Sequence, residues 1–135
     1  MRRPRSTALC GAALAIAGSA AGSSVAWGGH GSEPTTSVGI AQREFRITAY
    51  RREVPPGPVR FNVRNYGEDV HNFVVVGPTG KLRVNTEEVR SGQRLSITVT
   101  LRRQGTYQLV CTIADHAQRG MKSRFVVRKP RRRTR

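Results

Sequence analysis

Leu95-Ser96-Ile97-Thr98-Val99-Thr100-Leu101 alternates aliphatic and hydroxyl side chains without a break. A strand points successive side chains to opposite faces, so this run offers one aliphatic face to a core and one hydroxyl face to water. Downstream, Gly105 opens the run Thr106–Cys111, and Lys122–Val127 closes the apolar part of the chain. Upstream, Phe45–Thr48 alternates, and Val59-Arg60-Phe61-Asn62-Val63 sets Val59, Phe61 and Val63 on one face. Asn72–Val76 is β-branched and apolar on both faces, the pattern of a central strand. Between these runs stand Asn65-Tyr66-Gly67 and Gly77-Pro78-Thr79-Gly80, both turn signals. Pro55-Pro56-Gly57-Pro58 reads as a hard stop that excludes helix and ladder alike. Thr86–Ser91 is the one place where a short helical turn is expected. The spacing predicts an all-β protein: a two-sheet antiparallel β-sandwich with Greek-key links.

The chain has 135 residues. Arg2, Arg3 and Arg5 precede an apolar run from Thr7 to Ala21 rich in Ala and Gly, the layout of a secretory signal peptide over residues 1–26. Small residues suit cleavage after Ala21 or after Ala26, and a retained anchor is the alternative. Residues 27–38 read as a flexible linker, residues 39–127 as one domain, and residues 128–135 as a disordered basic tail. The expected location is extracytoplasmic, either periplasmic or secreted.

The formal net charge is +16. Charge of that sign draws acidic partners, anionic lipid or nucleic acid through its long-range field. An export signal and few aromatics count against nucleic acid. A polybasic tail suits an anionic membrane surface. The chain is expected to be monomeric.

Beyond the signal segment the chain has a single cysteine, Cys111. An exported thiol without an internal partner needs burial or a bound group. In Cys111-Thr112-Ile113-Ala114-Asp115-His116-Ala117-Gln118-Arg119-Gly120-Met121 a thiolate, an imidazole and a thioether follow one another five residues apart. His71 supplies a second imidazole at the mouth of an earlier strand. Soft sulfur suits Cu(I), imidazole suits both oxidation states, and a His2Cys set with a weak axial Met is an electron-transfer geometry. Taken singly, Cys111 is a small buried hydrophobe, His116 a solvated loop residue and Met121 core. All three dull readings must hold together to dismiss the set.

Val70-His71-Asn72-Phe73-Val74, Gly105-Thr106-Tyr107, and the Cys-x4-His-x4-Met run before a strand together resemble the plastocyanin/azurin (cupredoxin) family. The resemblance covers about Ile40 to Val127. It implies that one copper is held by His71, Cys111 and His116 with Met121 axial, and that His116 is the solvent edge through which electrons leave. It also implies that Asn72 ties the two ligand loops together, with Thr112 as its partner. Arg119, Lys122 and Arg124 near the copper end depart from the apolar or acidic docking patches of many family members, and point to an acidic redox partner.

Val110 and Thr112 flank the cysteine where enzymes of this fold carry histidines toward a second copper centre. The chain therefore reads as a carrier of single electrons and not an enzyme. The alternative is a module for copper delivery, storage or sensing, with a sandwich carrying a vestigial site as the third reading.

Overall fold

The structure is a computed structural model that describes residue 31 and residues 33–131. The signal-peptide reading of residues 1–26 lies outside the described residues. Nine strands and no helix are found among those that are described: β1 (Thr36–Arg43), β2 (Arg46–Ala49), β3 (Glu53–Val54), β4 (Gly57–Asn65), β5 (Val74–Val76), β6 (Leu82–Asn85), β7 (Arg94–Leu101), β8 (Gly105–Val110) and β9 (Lys122–Val127). They form two sheets, β2-β1-β4-β7 and β3-β9-β8-β5-β6, packed as an all-β sandwich.

Alternation in β4 sends Val59, Phe61 and Val63 into the core, where each is essentially buried. Phe61 meets Phe73, just before β5, and Phe125 of β9 with ring centroids 5.2 and 5.4 Å apart. Offset and edge-on aromatic contacts of this kind add to the area they bury. The aliphatics of β7 pair along β4 from Leu95↔Val63 to Leu101↔Gly57. Leu101 is buried, while Leu95, Ile97 and Val99 are half-buried, because β7 is an edge strand. Tyr107 is buried and donates its hydroxyl to the Arg103 carbonyl (2.9 Å), pinning the β7–β8 corner.

Four expectations change. Both sheets are mixed: β1 runs parallel to β4, and β3 parallel to β9. Proline does not stop the chain at 58, since Gly57 and Pro58 already pair with Leu101 and Thr100; a proline near the start of a strand costs the ladder little. The expected helical turn at 86–91 is absent because Val89 exchanges both backbone hydrogen bonds with His71, which holds the segment extended. Finally, Thr36–Val38, read as linker, belong to β1. At the other boundary, the Arg128 N–H donates to the Val54 carbonyl and the Lys129 N–H to Gln104 Oε1, so these first residues of the basic tail are tied to the domain.

Candidate metal centre

Four connections meet at one end of the sandwich: residues 44–45, 66–73, 86–93 and 111–121. They bring together residues that are distant in sequence. His71 is seated by its bridge to Val89. Cys111 directly follows β8, and its N–H donates to the Met121 carbonyl at 3.0 Å. The Met121 N–H in turn donates to the His116 carbonyl at 2.9 Å. The Cys111–Met121 loop is thus closed on itself by its own backbone.

His71, Cys111 and Met121 are fully buried and His116 nearly so. The Nδ1 atoms of His71 and His116 are 3.2 Å apart, and Cys111 Sγ is 3.6 Å from His116 Nδ1. One donor atom from each of the three lies within 4.8 Å of the others. Met121 shares the buried cluster with Cys111 and Phe125.

Burial lowers the pKa of His71, the neighbouring His116 lowers it further, and the Glu44 carboxylate opposes the shift. His71 is accordingly neutral at ordinary pH, the form that offers a metal a lone pair. Two imidazole nitrogens and a sulfur converging in a buried cluster are poorly satisfied by one another. A soft cation among them satisfies all three, and the thiolate–imidazole set fits copper. His71, Cys111 and His116 are positioned to bind one copper.

The surroundings hold the donors still. Asn72 donates its Nδ2 hydrogens to Thr112 Oγ1 (2.8 Å) and Asn85 Oδ1 (3.2 Å), and its Oδ1 accepts the Thr112 N–H (2.8 Å). The latch implied between Asn72 and Thr112 is present. Gln42 of β1 donates to the Asn72 carbonyl at 2.8 Å, which links the first strand to the His71 loop. Phe45 sets its ring against His116 at 5.1 Å, and the Arg119 guanidinium lies over that ring, 3.4 Å from its centroid.

Glu44 was not legible as a site residue. Its Oε1 lies 3.4 Å from His71 Nε2, a nitrogen that has no aligned hydrogen bond, so the contact is electrostatic. The Asp69 N–H donates to the same Oε1 at 2.9 Å, and this bond is the chief reason the Glu44 pKa is lowered. Gly67 makes room for it: a Cβ there would sit 2.0 Å from Oε1.

This fold with this donor cluster defines a cupredoxin-type domain with a site for one copper. Residues 44–131 match the multicopper oxidase family, and the chain belongs to it. A comparison with curated protein sequences finds no match. Among solved structures, dithionite-reduced auracyanin from Roseiflexus castenholzii is similar at 22% identity and a TM-score of 0.59, over 70% of this chain and 98% of that one. Rusticyanin from Thiobacillus ferrooxidans is similar at 20% identity and 0.58, over 70% and 77%. The copper-containing nitrite reductase of Thermus scotoductus is similar at 18% and 0.53, over 69% of this chain but only 31% of its own. At these identities the likeness is one of fold.

Proposed function

We propose that the chain is an exported, monomeric blue-copper carrier that shuttles single electrons between protein partners. His71, Cys111 and His116 would hold the copper, with the Met121 thioether as a fourth, weaker donor. The observation that carries this reading is the convergence of two Nδ1 atoms and one sulfur in a closed, buried cluster. Copper bound there supplies a Cu(I)/Cu(II) couple. The chain's part is to keep the donors in one arrangement for both states, through the closed 111–121 loop and the Asn72–Thr112 latch, and to exclude water. Rigid donors keep reorganisation small when one electron enters or leaves. His116, the most exposed of the four, is the exit.

Catalysis is not part of the reading. The auracyanin and rusticyanin likenesses span most of those chains, whereas the nitrite reductase likeness spans a minor part. Among the described residues one donor cluster is found, and Val110 and Thr112 flank its cysteine. The partner surface is two-signed. Arg46, Arg119 and Lys122 lie on the side of Phe45, His116 and Met121, where acidic groups of a redox partner would land, whereas Arg124, expected at the same rim, donates to Thr106 Oγ1 farther along the sheet. Glu44, Glu68, Asp69, Glu87 and Glu88 lie on the His71 side and fix the orientation of that partner.

The test is a visible spectrum of the domain with Cu(II), beside Cys111→Ser. An intense thiolate-to-copper band, lost in the variant and bleached reversibly by a mild reductant, is expected. Copper binding without that band would overturn electron transfer in favour of delivery or storage. No binding at all would remove the copper reading altogether.

A further inference from the structure

The eight carboxylates of this chain are not spread evenly. Six of them, Glu44, Glu68, Asp69, Glu87, Glu88 and Asp115, lie in the four connections at the metal end. With Arg90 and Arg119 in those connections, and Arg43, Arg46, Arg64, Arg94 and Lys122 at the adjoining strand ends, the metal end is close to balance.

The opposite end differs in kind. Its connections carry Lys81, Arg102, Arg103, Arg128, Lys129 and Arg131, all exposed. The two carboxylates near them are already neutralised, Glu33 by Arg102 and Glu53 by Arg128. Lys81, Arg103 and Lys129 have no carboxylate partner among the described residues. Leu82 stands at this same end, where β6 leaves the 77–81 turn, and is 57% exposed between Lys81 and Arg83.

We propose that the end opposite the metal centre is a docking surface for an anionic lipid bilayer. Cations spread over several separate loops match a sheet of headgroups, which has charge everywhere and shape nowhere. An aliphatic side chain set among those cations reaches the acyl boundary while its neighbours stay at headgroup level. Nucleic acid would instead ask for exposed aromatic rings to stack on bases, whereas the exposed side chain set among these cations is the aliphatic Leu82, and the exposed Tyr50 lays its ring against Gly39 of β1. The carboxylates at the far pole are repelled by the same surface, so the bound chain stands with its metal end toward solvent. Docking of this kind does not require copper. It is therefore separable from the electron-carrier reading, and both are tested apart.

The test is co-sedimentation of the full chain, copper-free and copper-loaded, with vesicles of equal parts phosphatidylglycerol and phosphatidylcholine in about 0.1 M salt, where the screening length is about 10 Å. Pure phosphatidylcholine vesicles are the control. The triple reversal Lys81→Glu/Arg103→Glu/Lys129→Glu is expected to weaken partition about a hundredfold or more, while Arg60→Glu/Arg90→Glu/Arg94→Glu, the same change in net charge elsewhere, costs under about threefold. Leu82→Ser is expected to cost about tenfold, a loss that salt does not erase. Hydrogen exchange on vesicles should slow in residues 77–82 and 102–104 and stay unchanged in 112–119. Equal losses from both triples would overturn the proposal by showing a response to net charge alone. So would binding to duplex DNA without binding to vesicles, or protection of 112–119.

Discussion

Glu44 and Gly67 act together on His71. The carboxylate reaches His71 Nε2 from the rim, with its own side chain 31% exposed, and is held by the Asp69 N–H. An anion beside an imidazole raises its basicity and favours the more positive metal state, as carboxylates behind metal-bound histidines do. Glu44→Gln should therefore raise the reduction potential while leaving the thiolate band in place. Exposure screens the effect, so a change of about tenfold in preference for Cu(I), or about 59 mV for one electron, is the ceiling. Gly67→Ala puts a Cβ 2.0 Å from the same oxygen and should shift the potential in the same direction by expelling the carboxylate. Voltammetry of the two variants checks both; no shift in either would mean that Glu44 only packs. His71 also sets an acid limit on the copper-free chain. Its folded pKa is lowered below 6.5, chiefly by burial. The unfolded chain then binds the proton more readily, so stability is full above about 6.5 and falls as the pH drops toward the folded value. Urea denaturation at pH 7.5 and 5.5 should show the decline, and His71→Gln should flatten it in that window.

Asn72 shows what the elements do for the site. Neither β5 nor β8 reaches the metal: β5 begins at Val74 and β8 ends at Val110, and Asn72 bonds to Thr112 across the gap beyond them. Asn72→Ala leaves the Thr112 N–H and hydroxyl without their partner. It should cost the copper-free domain about 1–3 kcal/mol in chemical denaturation and speed copper loss from the loaded one. Unchanged copper release would assign the latch to folding alone. This pairing was legible because the motif around His71 and the motif around Cys111 are each contiguous, so sequence carried both halves. The strands β4, β7, β8 and β9 were legible for a similar reason, since their alternation is local. β1 was not, because Ile40, Ala41 and Gln42 are all buried in a row, its end being covered on both sides near the metal. A two-residue β3 and a largely exposed β6 have too little pattern to read. Alternation also says which way side chains point but not which way a neighbour runs, and so the parallel pairs escaped. Glu44 escaped for another reason: it stands 27 residues before His71, and nothing in either neighbourhood points to the other.

Across the whole molecule, net charge and the charge that a redox partner meets are different quantities. The formal +16 suggests a uniformly anion-seeking surface, but six of the eight carboxylates gather around the metal while cations outnumber carboxylates at the other end. A nine-residue strand such as β4 spans about 30 Å, which separates the two ends. The screening length is about 30 Å in 0.01 M salt and about 10 Å in 0.1 M. A small ionic oxidant approaching His116 therefore feels the whole molecule in dilute salt and only the near end in 0.1 M. Oxidation of the copper-loaded, reduced chain by hexacyanoferrate(III) should slow as salt rises to about 0.1 M and then level off. A cationic cobalt(III) tris-phenanthroline oxidant should speed up over the same range and level at the same point. A surface basic throughout would keep slowing the anion well beyond it. Reversing Lys81, Arg103 and Lys129 to Glu should flatten the dilute-salt limb for both oxidants and leave the plateau rates alone. Lys122→Glu, next to Met121, should move the plateaus themselves, down for the anion and up for the cation. If the far-end variant moved the plateaus instead, electrons would be leaving from a different face, and the assignment of His116 as the exit would fail with it.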